Sequence, residues 1–224
     1  VPNSWTNPLE FYKTSVLGTG NVLELCRNRN IPCTFVSAYL YGLPDKLPIS
    51  EKDRIKPNNP YANSKYLAEE LCRFYSEYYN VKVVIARPFN IYGKNQKDVF
   101  LIPHIILQAL NNKEIKVKSL QPKRDYIYVD DFVEGLMKTI DAQKQFSVYN
   151  FGSGVELSVQ EVICVIQKTL GINKKIVLEK QERQNEIMNT IADISKAKHD
   201  LGWEPKISFE EGIKRMLRGL GYDK

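Results

Sequence analysis

The sequence is poor in the residues that most often bind metals. Its four cysteines and two histidines are scattered singly along the chain, whereas structural zinc sites use closely spaced pairs of these residues. We therefore expect no metal site. The cysteines stand in apolar stretches, which predicts reduced thiols in the core of a cytoplasmic protein. The residues concerned are Cys26, Cys33, Cys72, Cys164, His104 and His199.

Long apolar runs and low-complexity tracts are also missing. No stretch reaches the roughly 18 apolar residues of a membrane-spanning helix, so no membrane span is expected. The composition, with 43% hydrophobic and 26% charged residues, is ordinary for a globular protein. A length of 224 residues suits one large domain, or one domain and part of another.

Charge of one sign is not concentrated anywhere. The chain has 32 basic and 26 acidic residues, a net charge of +6, but acidic residues lie between the basic ones throughout. Nucleic-acid binding favours clustered Lys and Arg interleaved with aromatic residues. We favour a solvated basic surface with a few cations placed around a small polyanion, and we expect no nucleic-acid partner.

One spacing of polar residues predicts proton-transfer chemistry. Tyr61 and Lys65 are four residues apart, so they share one face of a helix, and Ser37 can meet them from the end of a strand. A phenol with an ordinary pKa near ~10 is a poor base at neutral pH, but a neighbouring ammonium lowers that pKa. The spacing alone also fits a surface Tyr and Lys on an amphipathic helix.

Hydrophobic periodicity predicts alternating helices and strands in the first part of the chain, and this order implies a parallel sheet with helices on its faces. After residue 93 the pattern changes to shorter strands and amphipathic helices. Ser158 and Glu161 form a capping box before one of these helices, which Gly171 closes. The predicted helices cover 9–27, 60–79, 100–110, 131–143, 158–171 and 208–217, the predicted strands cover 34–37, 81–86, 115–117 and 126–129, and a surface loop covers 44–59.

Six blocks of sequence resemble the extended short-chain dehydrogenase/reductase family, the NAD-dependent epimerases and dehydratases of nucleotide sugars. They follow in family order and span nearly the whole chain. The blocks are TFVSAYLYG (34–42), NPYANSK (59–65), ARPFNIYG (86–93), KRDYIYVDD (123–131), YNFGSG (149–154) and LGWEP (201–205).

The resemblance implies an α/β fold, namely part of a Rossmann-type doubly wound parallel sheet together with a smaller α/β substrate-binding domain. The Rossmann part would cover residues 1–93 and be joined by the helix at 131–143. The substrate domain would cover 94–130 and 144–224. The resemblance also implies a homodimer through the helices at 9–27 and 61–79.

The resemblance assigns catalytic roles to three residues. Tyr61 would exchange a proton with a sugar hydroxyl, Lys65 would lower the pKa of Tyr61 and bind the cofactor ribose, and Ser37 would orient the hydroxyl. Thr14 and Phe89 would complete the cofactor site, with Thr14 standing where the family often has Asn.

A second set of residues is expected to bind the nucleotide sugar. Arg124 and Arg183 would clamp the diphosphate, because a guanidinium donates two hydrogen bonds to phosphate. The alternative for Arg124 is a salt bridge with Asp125 or Asp130. The remaining substrate contacts that the resemblance implies are Ser37, Tyr39, Asn90 and Leu101.

One family feature is absent from the sequence. Nothing matches the Gly-x-x-Gly-x-x-Gly turn that holds the dinucleotide pyrophosphate at a helix N-terminus. We therefore expect the chain to be the C-terminal portion of a longer protein, inactive alone, with NAD as cofactor and NADP not excluded. The alternative is a natural truncation that never binds cofactor.

The expected function is an NAD-dependent 4-epimerase of a nucleotide sugar, acting on a UDP-hexose. Ala38 and Tyr39 stand where the 4,6-dehydratases of the family carry acidic residues, which argues against water elimination. A 4-keto-6-deoxy-sugar reductase needs the same three catalytic residues and remains an alternative. A non-catalytic module of the same fold, for example an RNA binder, is a third reading.

Overall fold

The computed structural model describes residues 2–142, 144–179 and 187–222. Within these residues the strands are β1 (Cys33–Val36), β2 (Val83–Pro88), β3 (Asn90–Tyr92), β4 (Glu114–Val117), β5 (Lys123–Tyr128), β6 (Phe146–Phe151), β7 (Glu156–Ser158) and β8 (Lys175–Leu178). The helices are α1 (Pro2–Thr6), α2 (Pro8–Tyr12), a π-helical segment (Lys13–Leu17), α3 (Gly18–Arg29), α4 (Pro60–Tyr79), α5 (Leu101–Asn111), α6 (Val129–Thr139), α7 (Val159–Leu170), α8 (Ser195–Leu201) and α9 (Phe209–Arg218).

A parallel sheet in the order β1-β2-β6 carries the first part of the chain. Every residue of the central strand β2 is buried, as its apolar run predicts. Strand β1 lies at an edge and alternates in burial, with Cys33 buried and Thr34 exposed. The strand predicted over 34–37 is thus present but only partly buried, because among the described residues β1 pairs on one side only.

Strand β6 corrects the predicted division into domains. It pairs with β2 from Val83 opposite Phe146 to Pro88 opposite Phe151. The segment 146–151, which the sequence analysis assigned to the substrate domain, thus belongs to the first sheet. Helix α8 packs beside it, since Ala197 and Trp203 are buried in the same cluster as Phe151.

The second part of the fold is built on two smaller sheets, β3-β5-β7 and β4-β8. Helices α5, α7 and α9 pack over them around a core that includes Tyr92, Ile105 and Ile163. The predicted capping box of α7 is confirmed: the backbone N–H of Glu161 donates to the Ser158 hydroxyl at 3.2 Å, and the Glu161 carboxylate accepts from the Ser158 backbone at 2.8 Å.

The two helices predicted to flank the first sheet are confirmed. The segment over 8–29 is helical throughout, with the π-helical segment at Lys13–Leu17 between α2 and α3. Helix α4 begins after Asn59, whose side chain accepts from the Ala62 N–H at 2.9 Å. It ends at Asn80 in the left-handed conformation. None of the described helices combines the length and the apolar character needed to cross a membrane.

A buried ion pair joins α4 to the sheet. Arg87 of β2 and Glu69 of α4 are 2% and 1% exposed, and the Arg87 Nε donates to a Glu69 carboxylate oxygen at 2.9 Å. Arg87 also donates from Nη1 to the hydroxyl of Tyr41 at 3.0 Å, and Tyr41 donates to Asn150 Oδ1 of β6 at 2.6 Å. The network fixes the helix that carries Tyr61 and Lys65 against two strands and the loop after Ser37.

The cysteines are all free thiols. Cys26, Cys33 and Cys72 are buried together between α3, β1 and α4, as expected. Cys164 is exposed on α7, so the expectation that all four lie in the core is wrong for this residue.

Breaking the buried ion pair should be costly for folding. We expect Glu69→Gln to lower the free energy of unfolding by about 3–5 kcal/mol, because it leaves the Arg87 charge buried without its counter-ion. Urea denaturation of the two proteins measures this difference.

Glu70 provides a matched control on the same helix. It pairs with Arg73 at 3.6 Å, and both side chains are nearly half exposed. We expect Glu70→Gln to change stability by no more than about 1 kcal/mol. Equal effects of the two substitutions would contradict the importance assigned to the buried pair.

Candidate active site

Ser37 follows directly on β1 and is held by the sheet. Its backbone N–H donates to the Ala86 carbonyl of β2 at 2.8 Å. The residue is only 3% exposed, yet its hydroxyl has no hydrogen-bond partner among the described residues. Buried hydroxyls are normally paired, so this one is available to a ligand.

Lys65 reaches the same strand end from the first turns of α4. Its ammonium donates to the Val36 carbonyl at 2.9 Å and lies 4.8 Å from the centre of the Phe35 ring. Since Val36 immediately precedes Ser37, the structure brings Lys65 to the backbone beside the unpaired hydroxyl. Burial lowers the pKa of Lys65.

Tyr61 is half-buried and packs edge-on against Phe11, with ring centres 6.0 Å apart. Burial raises the pKa of Tyr61. Burial is the cause of this shift, and the Lys65 ammonium, which is bound to the Val36 carbonyl, does not contribute to it in the protein alone. Tyr61 is a protonated phenol at neutral pH and can donate a proton.

Thr14, which was expected in the cofactor site, is not buried against the helix that carries Tyr61. It is exposed on the π-helical segment. The adjacent Ser15 is the buried residue of this segment, and its hydroxyl is hydrogen-bonded to the Ser64 hydroxyl of α4 at 3.1 Å.

Three aromatic rings connect the strand end with the second part of the fold. Tyr39 stacks edge-on against Phe89, with ring centres 5.4 Å apart, and against Tyr41 at 5.6 Å. The Tyr39 hydroxyl donates to the Gly42 carbonyl at 2.7 Å, and burial raises the pKa of Tyr39. Tyr39 therefore contributes an aromatic surface beside Phe89.

Beyond Phe89 lies a cleft of about 780 Å³, a volume that accommodates an organic ligand. Four of the residues singled out from the sequence line it together: Phe89, Asn90, Leu101 and Arg124. Asn90 is fixed by a hydrogen bond from its side-chain amide to the Asp125 carbonyl at 3.0 Å. Ser37, Tyr61 and Lys65 do not line this cleft, so the predicted site falls into two regions joined by the aromatic rings.

Arg124 does not form either of the salt bridges considered as alternatives. It donates from Nη1 to the carbonyls of Lys123 and Met188. The Asp125 carboxylate instead accepts hydrogen bonds from Ser153, Gly154 and Ala192, while Asp130 pairs with Arg215 at 3.2 Å. Arg183, the other expected clamp residue, lies outside the described residues.

The sequence analysis missed several polar residues of the cleft. Lys116, Lys118 and His104 add to the basic lining, and Asp98 and Glu179 provide opposite charge. The signal for the two lysines was present in the sequence. Successive side chains of a strand point to opposite faces, so the apolar Ile115 and Val117 predict that Lys116 and Lys118 share the other face.

Comparison with known proteins identifies the family. A match to the GDP-mannose 4,6 dehydratase family extends over residues 1–216. A putative UDP-glucose 4-epimerase of Methanocaldococcus jannaschii is 34% identical over 98% of this chain and 73% of its own length. The chain belongs to the GDP-mannose 4,6 dehydratase family. This places it among the extended short-chain dehydrogenases/reductases that act on nucleotide sugars, as the six sequence blocks predicted.

Solved structures agree with this assignment and with the predicted α/β fold. The UDP-glucose 4-epimerase of Thermotoga maritima with UDP-glucose is 26% identical, has a TM-score of 0.90, and is matched over 98% of this chain and 73% of its own. The Pseudomonas aeruginosa protein RMD complexed with NADPH is also 26% identical, with a TM-score of 0.88 and matched shares of 98% and 77%. The chain spans 55% of a UDP-glucuronate 4-epimerase of Arabidopsis thaliana.

The unpaired hydroxyl of Ser37 leads to a prediction about stability. We expect Ser37→Ala to raise the free energy of unfolding by about 1 kcal/mol, because it removes a buried polar atom that makes no hydrogen bond. Chemical denaturation without ligand measures the effect.

Ser64 is the matched control, since it is equally buried but bonded. Its hydroxyl donates to the Tyr61 carbonyl at 2.8 Å. Ser64→Ala should therefore lower stability by about 1 kcal/mol. A similar loss in both variants would show that the Ser37 hydroxyl is satisfied.

Proposed function

We propose that this chain contributes the proton-transfer residues and the substrate cleft of an NAD-dependent nucleotide-sugar 4-epimerase acting on a UDP-hexose. The observation that carries the proposal is the unpaired Ser37 hydroxyl, buried beside the carbonyl to which Lys65 is bound. Packing of the core alone does not require a buried hydroxyl without a partner next to a lysine ammonium. The similarity to two UDP-glucose 4-epimerases supports the choice of reaction.

The residues at the end of β1 fit the reactive end of a dinucleotide. The Ser37 hydroxyl is unpaired, and Lys65 offers an ammonium whose present partner is a single backbone carbonyl. Bound NAD would supply the oxidant that accepts the hydride from C4 of the sugar and later returns it. The solved relatives with NADPH or NAD support the assignment of this cofactor.

Tyr61 would accept the proton of the sugar 4-hydroxyl and later return it. Ser37 would accept or donate a hydrogen bond to that hydroxyl and hold it toward Tyr61. Because burial raises the pKa of Tyr61 in the protein alone, the phenol needs a closer cation before it can act as a base. Lys65 would provide it on moving from the Val36 carbonyl toward Tyr61. When the hydride returns to the other face of the 4-keto sugar, Tyr61 would give the proton back.

The cleft would hold the nucleotide diphosphate. Arg124 would donate to phosphate oxygens, while Asn90 and Leu101 would contact the rest of the nucleotide sugar. Lys116 and Lys118 add positive charge to the same lining. Tyr39 and Phe89 lie between the cleft and Ser37, where a sugar linked to the diphosphate would pass.

A 4-keto-6-deoxy-sugar reductase is the second candidate. It is favoured by the likeness to a GDP-6-deoxy-D-mannose reductase, 28% identical over 97% of this chain, and by Ala38 and Tyr39, which supply no carboxylate for dehydration. Consumption of one NADPH per sugar would identify the reductase, whereas interconversion without net cofactor use would identify the epimerase.

The described residues leave one side of the first sheet uncovered, which supports inactivity of this chain by itself. Strand β1 has no partner on its outer side. On the neighbouring helix α6 an apolar stripe is exposed at Val133, Met137 and Ile140, with exposed fractions of 49%, 60% and 55%. We infer that a further βα segment covers this side and supplies the pyrophosphate site.

Calorimetry with UDP-glucose on this chain tests the substrate half of the proposal. We expect saturable binding, weakened at least about tenfold by Arg124→Gln because a charge-assisted hydrogen bond to phosphate is lost. Lys123→Gln removes the same charge from the adjacent residue, which does not line the cleft, and should bind normally.

Tyr61→Phe separates binding from chemistry. It should bind UDP-glucose as the unsubstituted chain does, yet lose about 10²–10⁴-fold in epimerisation when the part of the M. jannaschii relative that this chain does not span is fused to it. Full activity of Tyr61→Phe in that fusion would overturn the assignment. Failure of UDP-glucose to bind would overturn the substrate cleft.

We also propose a homodimer through the helices over 8–29 and 60–79. Their outer faces expose large apolar side chains that the described residues leave uncovered, and Phe74 stacks on Tyr78 with ring centres 4.7 Å apart. Such patches are typical of interfaces. The exposed residues are Leu17, Val22, Leu25, Leu67, Phe74 and Tyr78.

Sedimentation velocity tests this interface. We expect a dimer, and we expect Leu25→Lys to weaken association at least about tenfold because burial of one Leu is worth about 1.5–3 kcal/mol. Leu43→Lys changes a Leu that is 67% exposed on a loop away from these helices and should leave the dimer intact. Dimerisation of Leu25→Lys at unchanged affinity would place the interface elsewhere.

A further inference from the structure

A second cavity lies in the other part of the fold, where α5, α7 and α9 end. Its volume is about 270 Å³, large enough for a small organic molecule. No residue lines both this cavity and the cleft that contains Arg124. The cavity therefore belongs to neither region of the proposed active site.

The floor of the cavity is apolar. Ala109 and Leu217 are almost fully buried in it, and Leu110, Leu170 and Ile172 are partly buried. Such a floor favours the hydrocarbon part of a ligand, because apolar surface leaves water on binding.

The rim of the cavity is cationic. Lys174, Lys214 and Arg218 are among the lining residues, and these include no Asp or Glu. The phenol-bearing Tyr222, which is 47% exposed, adds a further polar group.

Only some of these cations are bound to the carbonyl groups at the ends of the helices or to acidic side chains. Cations are attracted to helix C-termini, and Lys174 indeed donates to the Asn112 carbonyl after α5. Lys214 pairs with Glu210 at 2.9 Å. The guanidinium of Arg218 forms no hydrogen bond or ion pair with the described residues.

We propose that this cavity binds a small amphipathic anion, a molecule with a compact hydrocarbon body and one acidic group. The apolar floor takes the body, and Arg218 with Lys174 takes the acid. A medium-chain carboxylate is the simplest member of this class. A free nucleotide is a poor fit, because the cavity has about one third of the volume of the cleft.

Titration of this chain with octanoate, followed by ligand-observed NMR and calorimetry, tests the proposal. We expect saturable binding with a Kd of about 1 mM or tighter, weakened at least about fivefold by Arg218→Gln and by Lys174→Gln. Octylamine and octanol, which share the hydrocarbon body, should bind at least about fivefold more weakly than octanoate. UDP-glucose should not displace octanoate.

Two further variants make the result specific to the cavity. Lys52→Gln removes one positive charge from an exposed loop residue and should leave octanoate binding unchanged. Thr169→Phe should fill the cavity and abolish binding, with circular dichroism checking that it is folded. Equal binding of octanoate, octanol and octylamine, no saturable binding, or insensitivity to both Arg218→Gln and Lys174→Gln would each overturn the proposal.

Discussion

The candidate site depends first on the buried pair of Arg87 and Glu69. Glu69 stands four residues after Lys65 and eight after Tyr61, so all three belong to one face of α4. Arg87 comes from the central strand, whose neighbour β1 ends at Val36, directly before Ser37. By fixing the helix face to that strand, the ion pair sets the height and rotation at which Tyr61 and Lys65 meet the strand end. A buried pair contributes little net stability, and its effect here is to select one arrangement.

Several polar groups at the end of β1 have fewer partners among the described residues than buried polar groups normally have. The Ser37 hydroxyl is buried without a partner, the Lys65 ammonium rests on a backbone carbonyl, and burial alone governs the pKa of Tyr61. Each of these is unfavourable or neutral for folding. A ligand that accepts from Lys65 and bonds to Ser37 would relieve them together, since a buried polar group gains most when it acquires its missing partner.

Local sequence signals predicted the longer helices well, but they missed helix α8 and the short strands β3, β6, β7 and β8. Ser158 with Glu161 marks a helix start because capping is a short-range interaction. The segment 146–151 was not predicted as a strand of the first sheet, because its pairing with β2 joins residues more than sixty positions apart. The half-exposed face of β1 could not be foreseen either, since burial of an apolar strand depends on which neighbours the sheet provides.

For the candidate residues too, their position was easier to predict than their interactions. Phe89, Asn90, Leu101 and Arg124, all expected in the site, line one cleft, whereas burial and not the charge of Lys65 shifts the pKa of Tyr61 in the protein alone. Spacing on a helix decides which side chains can meet, whereas a pKa depends on where each charge finds its nearest partner. Lys65 donates a hydrogen bond to the nearby Val36 carbonyl. The same competition explains why Arg124 binds backbone carbonyls while Asp125 is satisfied by Ser153, Gly154 and Ala192. A ligand that binds at this site therefore has to replace these interactions, and the contact of Tyr39 with Phe89 connects the lining of the cleft to the strand end that carries Ser37.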